Sequence, residues 1–190
     1  MSEPSGPQWV ARFPGSTSPS DLLPEFRDRV QAFISAMKNG GASVSVAATY
    51  RPPERAYLMH WCSRIAGYTD PKTHQHVIDP PSAATPMAGV AIDWTHGRND
   101  SAARAAAAQM VAGYGIKYPA VLVSRHTQRR AVDMTIDWTG TLTVRDFDGQ
   151  QRVISNPPRS GSNQILVDVG RSFGVIKLMT DPPHWSDDGH

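Results

Sequence analysis

Long apolar runs are missing from this 190-residue chain. No window approaches the roughly 18 consecutive apolar residues of a membrane-spanning helix. The N-terminus also lacks the basic and then apolar layout of a signal peptide. The sequence therefore predicts a protein made in the cytoplasm without a signal peptide, and no membrane partner.

The chain also has few cysteines and a small net charge. The single cysteine, Cys62, excludes an intramolecular disulfide and a cysteine-rich zinc site, so any metal must be held by histidine and carboxylate ligands. The 19 basic and 17 acidic side chains give a formal net charge of +2. That balance excludes the wide basic surface that nucleic-acid binding needs, although Arg125, Arg129 and Arg130 form a local basic group.

Several motifs that mark common active sites are absent too. The chain contains no G-x-S-x-G, no phosphate-binding Walker loop, no G-x-G-x-x-G and no H-E-x-x-H. Any catalytic residues must therefore be dispersed along the chain.

The residues that are present predict one loop-rich domain. Hydrophobic residues make up 39% of the chain, enough for one core, and 16 prolines and 15 glycines predict many turns. Residues 1–19 are rich in Ser, Pro and Gly and are expected to form an extended arm. Residues 20–190 are expected to form a single domain.

Apolar spacing and turn residues predict the secondary structure. Helices are expected at about 20–39, ending at Gly40-Gly41; from Pro52 or Pro53 to a stop at Gly67; at about 101–112, capped by Asn99 or Asp100 and closed by Gly113; and at 163–171. Strands are expected at 43–49, 131–138, 141–146, 151–154 and 174–179, the three from 131 to 154 as a meander. Residues 68–98 are predicted to form a long loop with a short buried strand near 89–96. This order favours an α+β fold, with helices of the N-terminal half packed on a mainly antiparallel sheet from the C-terminal half.

Two stretches contain the residue types of a catalytic metal site. They are Ser124-Arg-His126-Thr-Gln-Arg-Arg-Ala-Val-Asp133 and Asp181-Pro-Pro-His184-Trp185. Catalytic zinc takes three His or carboxylate ligands and leaves one position for water, and His126, Asp133 and His184 supply such a set. Asp133 is seven positions after His126, and on one regular strand this odd separation would direct the two side chains to opposite faces. Convergence therefore requires His126 on a loop, a turn over Thr127–Arg130, and Asp133 inside the strand.

The carboxylate of Asp181 precedes His184 by three residues across a Pro-Pro pair. The two prolines fix much of the backbone between them, so Asp181 can lie beside a metal without being a ligand. Such a carboxylate suits a general base.

Spacing alone leaves other interpretations open. A His and an Asp at a strand edge are more often a hydrogen-bonded or solvated pair than a metal site, and Asp-Pro-Pro-His can be a simple turn. The pair His74 and His76, and the pair Asp93 and His96, can equally be proposed as ligands. Ser124 is a candidate for orienting a ligand or is a simple turn residue, and Trp138 and Trp185 are candidates for a cleft wall or for the core.

Both stretches resemble the M15 family of zinc D-alanyl-D-alanine peptidases and phage endolysins. The family pattern S-x-H-x-x-G-x-A-x-D is matched at Ser124, His126, Ala131 and Asp133, with Arg129 in place of its glycine; the acid, histidine and aromatic of its second pattern are matched at Asp181, His184 and Trp185. Upstream, Ala48-Thr-Tyr-Arg51-Pro-Pro-Glu-Arg55 is similar to the family's strand-to-helix turn. The resemblance covers about residues 43–188.

The resemblance implies a fold of the lysostaphin, D-Ala-D-Ala peptidase and hedgehog type with a zinc site at the sheet. In such a site His126, Asp133 and His184 would hold zinc, Asp181 would act as general base, and Arg51 would hold the substrate and its developing oxyanion. The implied substrates are peptidoglycan stem or cross-link peptides with D-residues at or beside the cut bond. The replacement of the motif glycine by Arg129 bears on loop geometry and activity more than on fold.

The resemblance also implies action at the cell wall or in the periplasm, reached by phage-directed lysis or by secretion as an antibacterial effector. An effector would have a secretion apparatus and an immunity protein as partners. Two other functions are left open: a catalytically impaired zinc-binding or peptide-binding domain with the cleft blocked by Arg129, and a nucleic-acid binder using Arg125, Arg129 and Arg130, which the charge balance disfavours.

Overall fold

The computed structural model describes residues 2–70, 73–117 and 120–190. Its helices are α1 (Pro24–Asn39), α2 (Pro53–Ala66), α3 (Asp100–Tyr114) and α4 (Gln164–Ser172). Its strands are β1 (Glu3–Pro4), β2 (Ser43–Ala48), β3 (Tyr68–Thr69), β4 (His76–Val77), β5 (Ile92–Asp93), β6 (Ala131–Asp137), β7 (Leu142–Arg145), β8 (Gln151–Ile154), β9 (Ile176–Lys177) and β10 (His184–Ser186). Four helices with mixed, mostly antiparallel strand pairs confirm the coarse α+β class.

The chain divides into two compact units. The first comprises Met1–Pro14 and Pro52–Ser124, and the second comprises Gly15–Arg51 and Arg125–His190. The predicted arm over 1–19 and single domain over 20–190 remain predictions.

The second unit contains a four-stranded antiparallel sheet in the order β2-β6-β10-β9. Alternation along β6 directs Val132, Met134 and Ile136 into the core, which also includes apolar residues of α1 and α4. Trp185 on β10 is completely buried in this core, with its ring centroid 5.3 Å from that of Phe33 on α1. Trp138 also belongs to this core. Of the two interpretations offered for Trp138 and Trp185, a cleft wall or the core, the structure supports the core for both.

The first unit is built on α2 and α3. Its core is formed by apolar side chains of these helices together with Trp9, Val90 and Trp94. Two small strand pairs, parallel β1-β5 and antiparallel β3-β4, complete it. The side chain of Asn99 accepts a hydrogen bond from the Ala102 amide, so of the two predicted caps of α3 the structure selects Asn99 and not Asp100.

The end of α3 corrects the prediction that Gly113 stops the helix. The helix continues to Tyr114 and ends at Gly115, which has φ of 65° in the left-handed region. A Cβ at Gly113 would lie 2.9 Å from Val10 Cγ2, so this glycine permits close packing instead of ending the helix.

Strand pairing corrects the predicted meander. The strands β7 and β8 pair with each other, but β6 pairs with β2 and β10, which are distant in the sequence. The predicted division into N-terminal helices and a C-terminal sheet is not confirmed, because β2 comes from the N-terminal half and α4 from the C-terminal half. None of the helices in the described ranges is long and apolar enough to cross a membrane.

Candidate metal centre

Three side chains predicted as ligands converge in the second unit. His126 Nε2 lies 3.1 Å from Asp133 Oδ1 and 3.2 Å from His184 Nδ1, and His184 Nδ1 lies 3.1 Å from Asp133 Oδ1. His126 and His184 are buried, and the Asp133 side chain is 21% exposed. Among the described residues, this is the one group of histidine, cysteine and acidic side chains arranged to hold a metal ion.

Strand register brings two of these ligands together. His184 on β10 is directly opposite Asp133 on β6, so their side chains are neighbours across the antiparallel pair. On the other side of β6, the register with β2 shifts between Val46 and Ala48, which places Ala48 opposite Asp133. This shift brings the end of β2 beside the ligands.

The third ligand comes from the turn before β6, as the spacing predicted. His126 lies in a turn spanning 125–129, whose end is closed by the Arg129 amide donating to the His126 carbonyl. The amide of Arg51 donates to the same carbonyl at 3.2 Å, which joins this turn to the chain leaving β2.

Two backbone carbonyls fix the proton positions on the histidines. His126 Nδ1 lies 2.7 Å from the Thr49 carbonyl oxygen, and His184 Nε2 lies 3.1 Å from that of His190. A carbonyl only accepts, so each of these ring nitrogens carries a hydrogen and donates it. In the neutral rings, the nitrogens facing Asp133 are then bare acceptors.

The converging atoms therefore form a set of three acceptors. An array of three acceptors without a donor is unfavourable unless protons or a cation lie among them. Burial raises the pKa of the Asp133 carboxyl, but when protons lie on the facing nitrogens, hydrogen bonds from His126 and His184 and their positive charge outweigh this effect and hold that pKa well below its usual range. The carboxyl is thus ionised at neutral pH, and the three side chains form a group that could hold a metal ion.

The donor set fits a transition metal of the zinc type. Tetrahedral zinc with bonds of about 2.0–2.1 Å separates its ligand atoms by about 3.3–3.4 Å, close to the 3.1–3.2 Å found here. Histidine ligands whose second nitrogen donates to a carbonyl are the usual arrangement at such sites.

The chain after β10 is fastened to the ligand turn by ion pairs. Arg130 Nη1 lies 2.6 Å from Asp187 Oδ2, and Arg125 pairs with Asp187 and Asp188. The Arg129 guanidinium lies 4.5 Å from the centre of the Tyr50 ring. Two of the three arginines of the basic group, Arg125 and Arg130, are therefore paired with acidic side chains.

The two predicted catalytic residues, Asp181 and Arg51, are joined to ligand residues by main-chain hydrogen bonds. Asp181 is exposed in the turn between β9 and β10, and its carbonyl accepts a hydrogen bond from the His184 amide at 3.1 Å. Arg51 is half-buried at the end of the segment that follows β2. Their assignment as catalytic residues, and that of Ser124 as an orienting residue, remain predictions.

The alternative ligand pairs do not form comparable groups. His74 and His76 are exposed, and His96 Nε2 lies 2.9 Å from the Ser5 hydroxyl. The Asp93 carboxylate accepts hydrogen bonds from the amide and hydroxyl of Thr95. Within the described ranges, neither pair belongs to a three-ligand group.

Comparison with known proteins adds no assignment: no protein-family model and no curated protein matches the chain. The site must therefore be interpreted from its own geometry.

Three features of the site were missed from the sequence. These are the carbonyls of Thr49 and His190, which orient the histidine rings, and the side chain of Lys177. Main-chain acceptors leave no signal in the residue types. Lys177 did leave one, since it interrupts the apolar run of residues 174–179.

Proposed function

We propose that this chain is a zinc peptidase similar to the M15 family, which hydrolyses peptidoglycan stem or cross-link peptides at bonds containing D-residues. The observation that supports the proposal is the convergence of His126 Nε2, Asp133 Oδ1 and His184 Nδ1, with the outer nitrogen of each histidine bonded to a backbone carbonyl. A three-ligand set of this kind is typical of catalytic zinc, whereas structural zinc is usually held by four protein ligands.

Zinc in this position supplies Lewis-acid polarisation of a water and of the substrate carbonyl. His126, Asp133 and His184 are the residues that would hold it. The ionised Asp133 contributes one negative charge, so the metal retains a net positive charge.

The remaining chemistry is assigned to Asp181 and Arg51. Asp181 takes a proton from the water whose oxygen adds to the peptide carbonyl carbon, and gives that proton to the amine as the C–N bond breaks. The guanidinium of Arg51 stabilises the negative charge that develops on the carbonyl oxygen. These roles are carried over from the resemblance, and the exposure of Asp181 leaves its carboxylate accessible to a substrate.

Action at the cell wall, after lysis or specialised secretion, belongs to the same proposal. The partners are peptidoglycan peptides, and for an effector also a secretion apparatus and an immunity protein.

The test compares wild type with Asp181→Ala and His184→Ala. Zinc content is measured by mass spectrometry of the metal, and cleavage by the masses of fragments released from purified peptidoglycan. We expect Asp181→Ala to keep zinc and lose most turnover, and His184→Ala to lose both. Asp168→Ala, an exposed aspartate on α4, is the matched control and should retain both.

The outcomes separate the competing functions. Fragments released by zinc-loaded wild type establish the peptidase, and their masses name the bond. Bound zinc without cleavage would favour the impaired zinc-binding or peptide-binding domain. Equal loss of zinc in Asp181→Ala and His184→Ala would reject the separate roles of these two residues.

A further inference from the structure

The side chain of Lys177 is a buried cation at the end of β9. The residue is 6% exposed, and its Nζ lies 3.1 Å from the Leu178 carbonyl oxygen, 2.7 Å from that of Asp181 and 3.2 Å from that of His184. All three acceptors belong to the segment that joins β9 to β10. This segment, residues 178–184, is called here the Asp181 turn.

The three contacts require a charged ammonium group. A carbonyl oxygen only accepts, so the nitrogen must present three N–H bonds, one more than a neutral amine has. Lys177 thus uses every donor it has on main-chain oxygens of one turn. Its Nζ also lies 5.4 Å from the centre of the Trp185 ring, which anchors the lysine to the core.

Each of these three carbonyls also accepts a main-chain hydrogen bond within the same turn. The Asp181 amide donates to Leu178, the His184 amide to Asp181, and the Leu178 amide to His184, at 3.1–3.2 Å. A carbonyl oxygen has two lone pairs, so Lys177 satisfies the second one at each position. The ammonium group is therefore the centre of the network that closes the turn.

Besides these hydrogen bonds, the turn is held by the fixed φ angles of Pro182 and Pro183 and by the Met134 amide, which donates to the Pro183 carbonyl at 2.8 Å. Pro182 and Pro183 have no amide hydrogen to donate. His184 is also held by β10, which pairs with β6 and β9, whereas Asp181 lies outside the strands. Loss of the ammonium group should consequently release Asp181 more than His184.

We propose that Lys177 is a positioning residue that fixes the main chain of Asp181, and so places the Asp181 carboxylate for proton transfer. The inference rests on the proposed function, in which Asp181 is the general base. It adds a residue that never touches the substrate, yet determines the turnover rate through the geometry of the turn.

The test uses Lys177→Met, which keeps the length and apolar packing of the side chain but removes its donors. Lys38→Met, at an exposed lysine in the last turn of α1, is the matched control. Three quantities are measured in each protein: kcat and KM on purified peptidoglycan peptides, zinc affinity by competition with a chelator, and hydrogen exchange of the His184 amide in zinc-free protein. Exchange is referred to the Ile136 amide of β6, which corrects for changes in global stability.

We expect Lys177→Met to lower kcat by about a hundredfold, because a displacement of about 1 Å is enough for such a loss. KM and zinc affinity should stay within about threefold of wild type, since the strand pairs of β10 still hold His184. The His184 amide should exchange at least about tenfold faster, because its acceptor, the Asp181 carbonyl, is no longer fixed. The control should match wild type in all three measurements.

Two results would overturn the inference. One is an unchanged kcat; the other is a loss of zinc affinity as large as the loss of kcat, which would make Lys177 a support of the metal and not of Asp181. If wild type itself cleaves nothing, the proposed function fails, and the exchange of the His184 amide alone decides whether Lys177 fixes the turn. If Lys177→Met does not fold, Lys177→Leu, which also lacks N–H donors, is measured by the same criteria.

Discussion

Arg129 has a backbone conformation that glycine adopts more easily. Its φ is 60°, and its amide and carbonyl are both engaged, with the His126 carbonyl and the Leu23 amide. A side chain in this left-handed region costs about 1–2 kcal/mol. The contact of its guanidinium with Tyr50 offsets about 0.5–1 kcal/mol of that cost, so the turn keeps a glycine-like shape without glycine.

We therefore predict that glycine and alanine at position 129 give proteins of different stability. Arg129→Gly should have a free energy of unfolding about 1 kcal/mol higher than Arg129→Ala, because both variants lose the Tyr50 contact but only alanine keeps the strain. Urea unfolding of the two variants measures the difference. An alanine variant as stable as the glycine variant would show that the turn is not strained at this residue.

The segment after β10 is an element that supports the ligands from outside the sheet. The Ser186 hydroxyl accepts hydrogen bonds from the amides of Gly189 and His190, and the His190 carbonyl in turn orients the His184 ring. Asp187 ties this segment to Arg125 and Arg130 of the ligand turn. The affinity for a metal ion should therefore depend on Asp187, although Asp187 is not a ligand.

Asp187→Asn is expected to weaken zinc binding about tenfold, the lower end of the range for partners that orient ligands. The amide keeps the shape of the side chain but removes the charge that pairs with both arginines. Chelator competition measures the affinity. Asp168→Asn, which removes an exposed ion pair with Arg171 on α4, is the control and should bind zinc as wild type does. Equal affinity in both variants would show that the ion pairs do not support the site.

The free energy of unfolding of the protein should fall with pH in the alkaline range because of Cys62. This thiol is completely buried on α2, and burial raises its pKa from 9.0 to about 12. Between these values the unfolded chain loses the proton while the folded chain keeps it. The contribution is therefore fully present below pH 9 and is lost as the pH rises toward 12.

We predict that the free energy of unfolding of wild type falls more steeply above pH 9 than that of Cys62→Ala, by up to about 1.4 kcal/mol per pH unit. Other groups titrate in both proteins, so the difference between the two isolates the thiol. Urea unfolding at several values from pH 8 to pH 10.5 provides the measurement. Parallel curves would mean that the thiol becomes ionised without unfolding.

Local signals in the sequence were sufficient for most elements. The apolar spacing and the Gly40-Gly41 pair predicted α1, and the candidate caps Asn99 and Asp100 predicted the start of α3, because these preferences depend on neighbours within a few residues. The turn between His126 and Asp133 could also be predicted, since a strand directs side chains seven residues apart to opposite faces. The candidate ligands were thus available from spacing and chemistry.

Tertiary structure decided what depends on distant partners. The sequence favoured a meander, but β6 lies between β2 and β10, and this register alone places His184 opposite Asp133. The sequence predicts a helix stop at Gly113, but the close contact with Val10 that this glycine permits involves a residue far away in the chain and leaves no local signal.

Local sequence patterns were enough to predict the α+β class, the main helices and the residue types that can hold a metal. The convergence of three particular side chains, the carbonyls that orient the histidines and the contacts of Lys177 with the Asp181 turn depend on the folded structure. The physical reason is that helices and turns follow from interactions between near neighbours, whereas strand register and main-chain acceptors are set by packing between segments far apart in the chain.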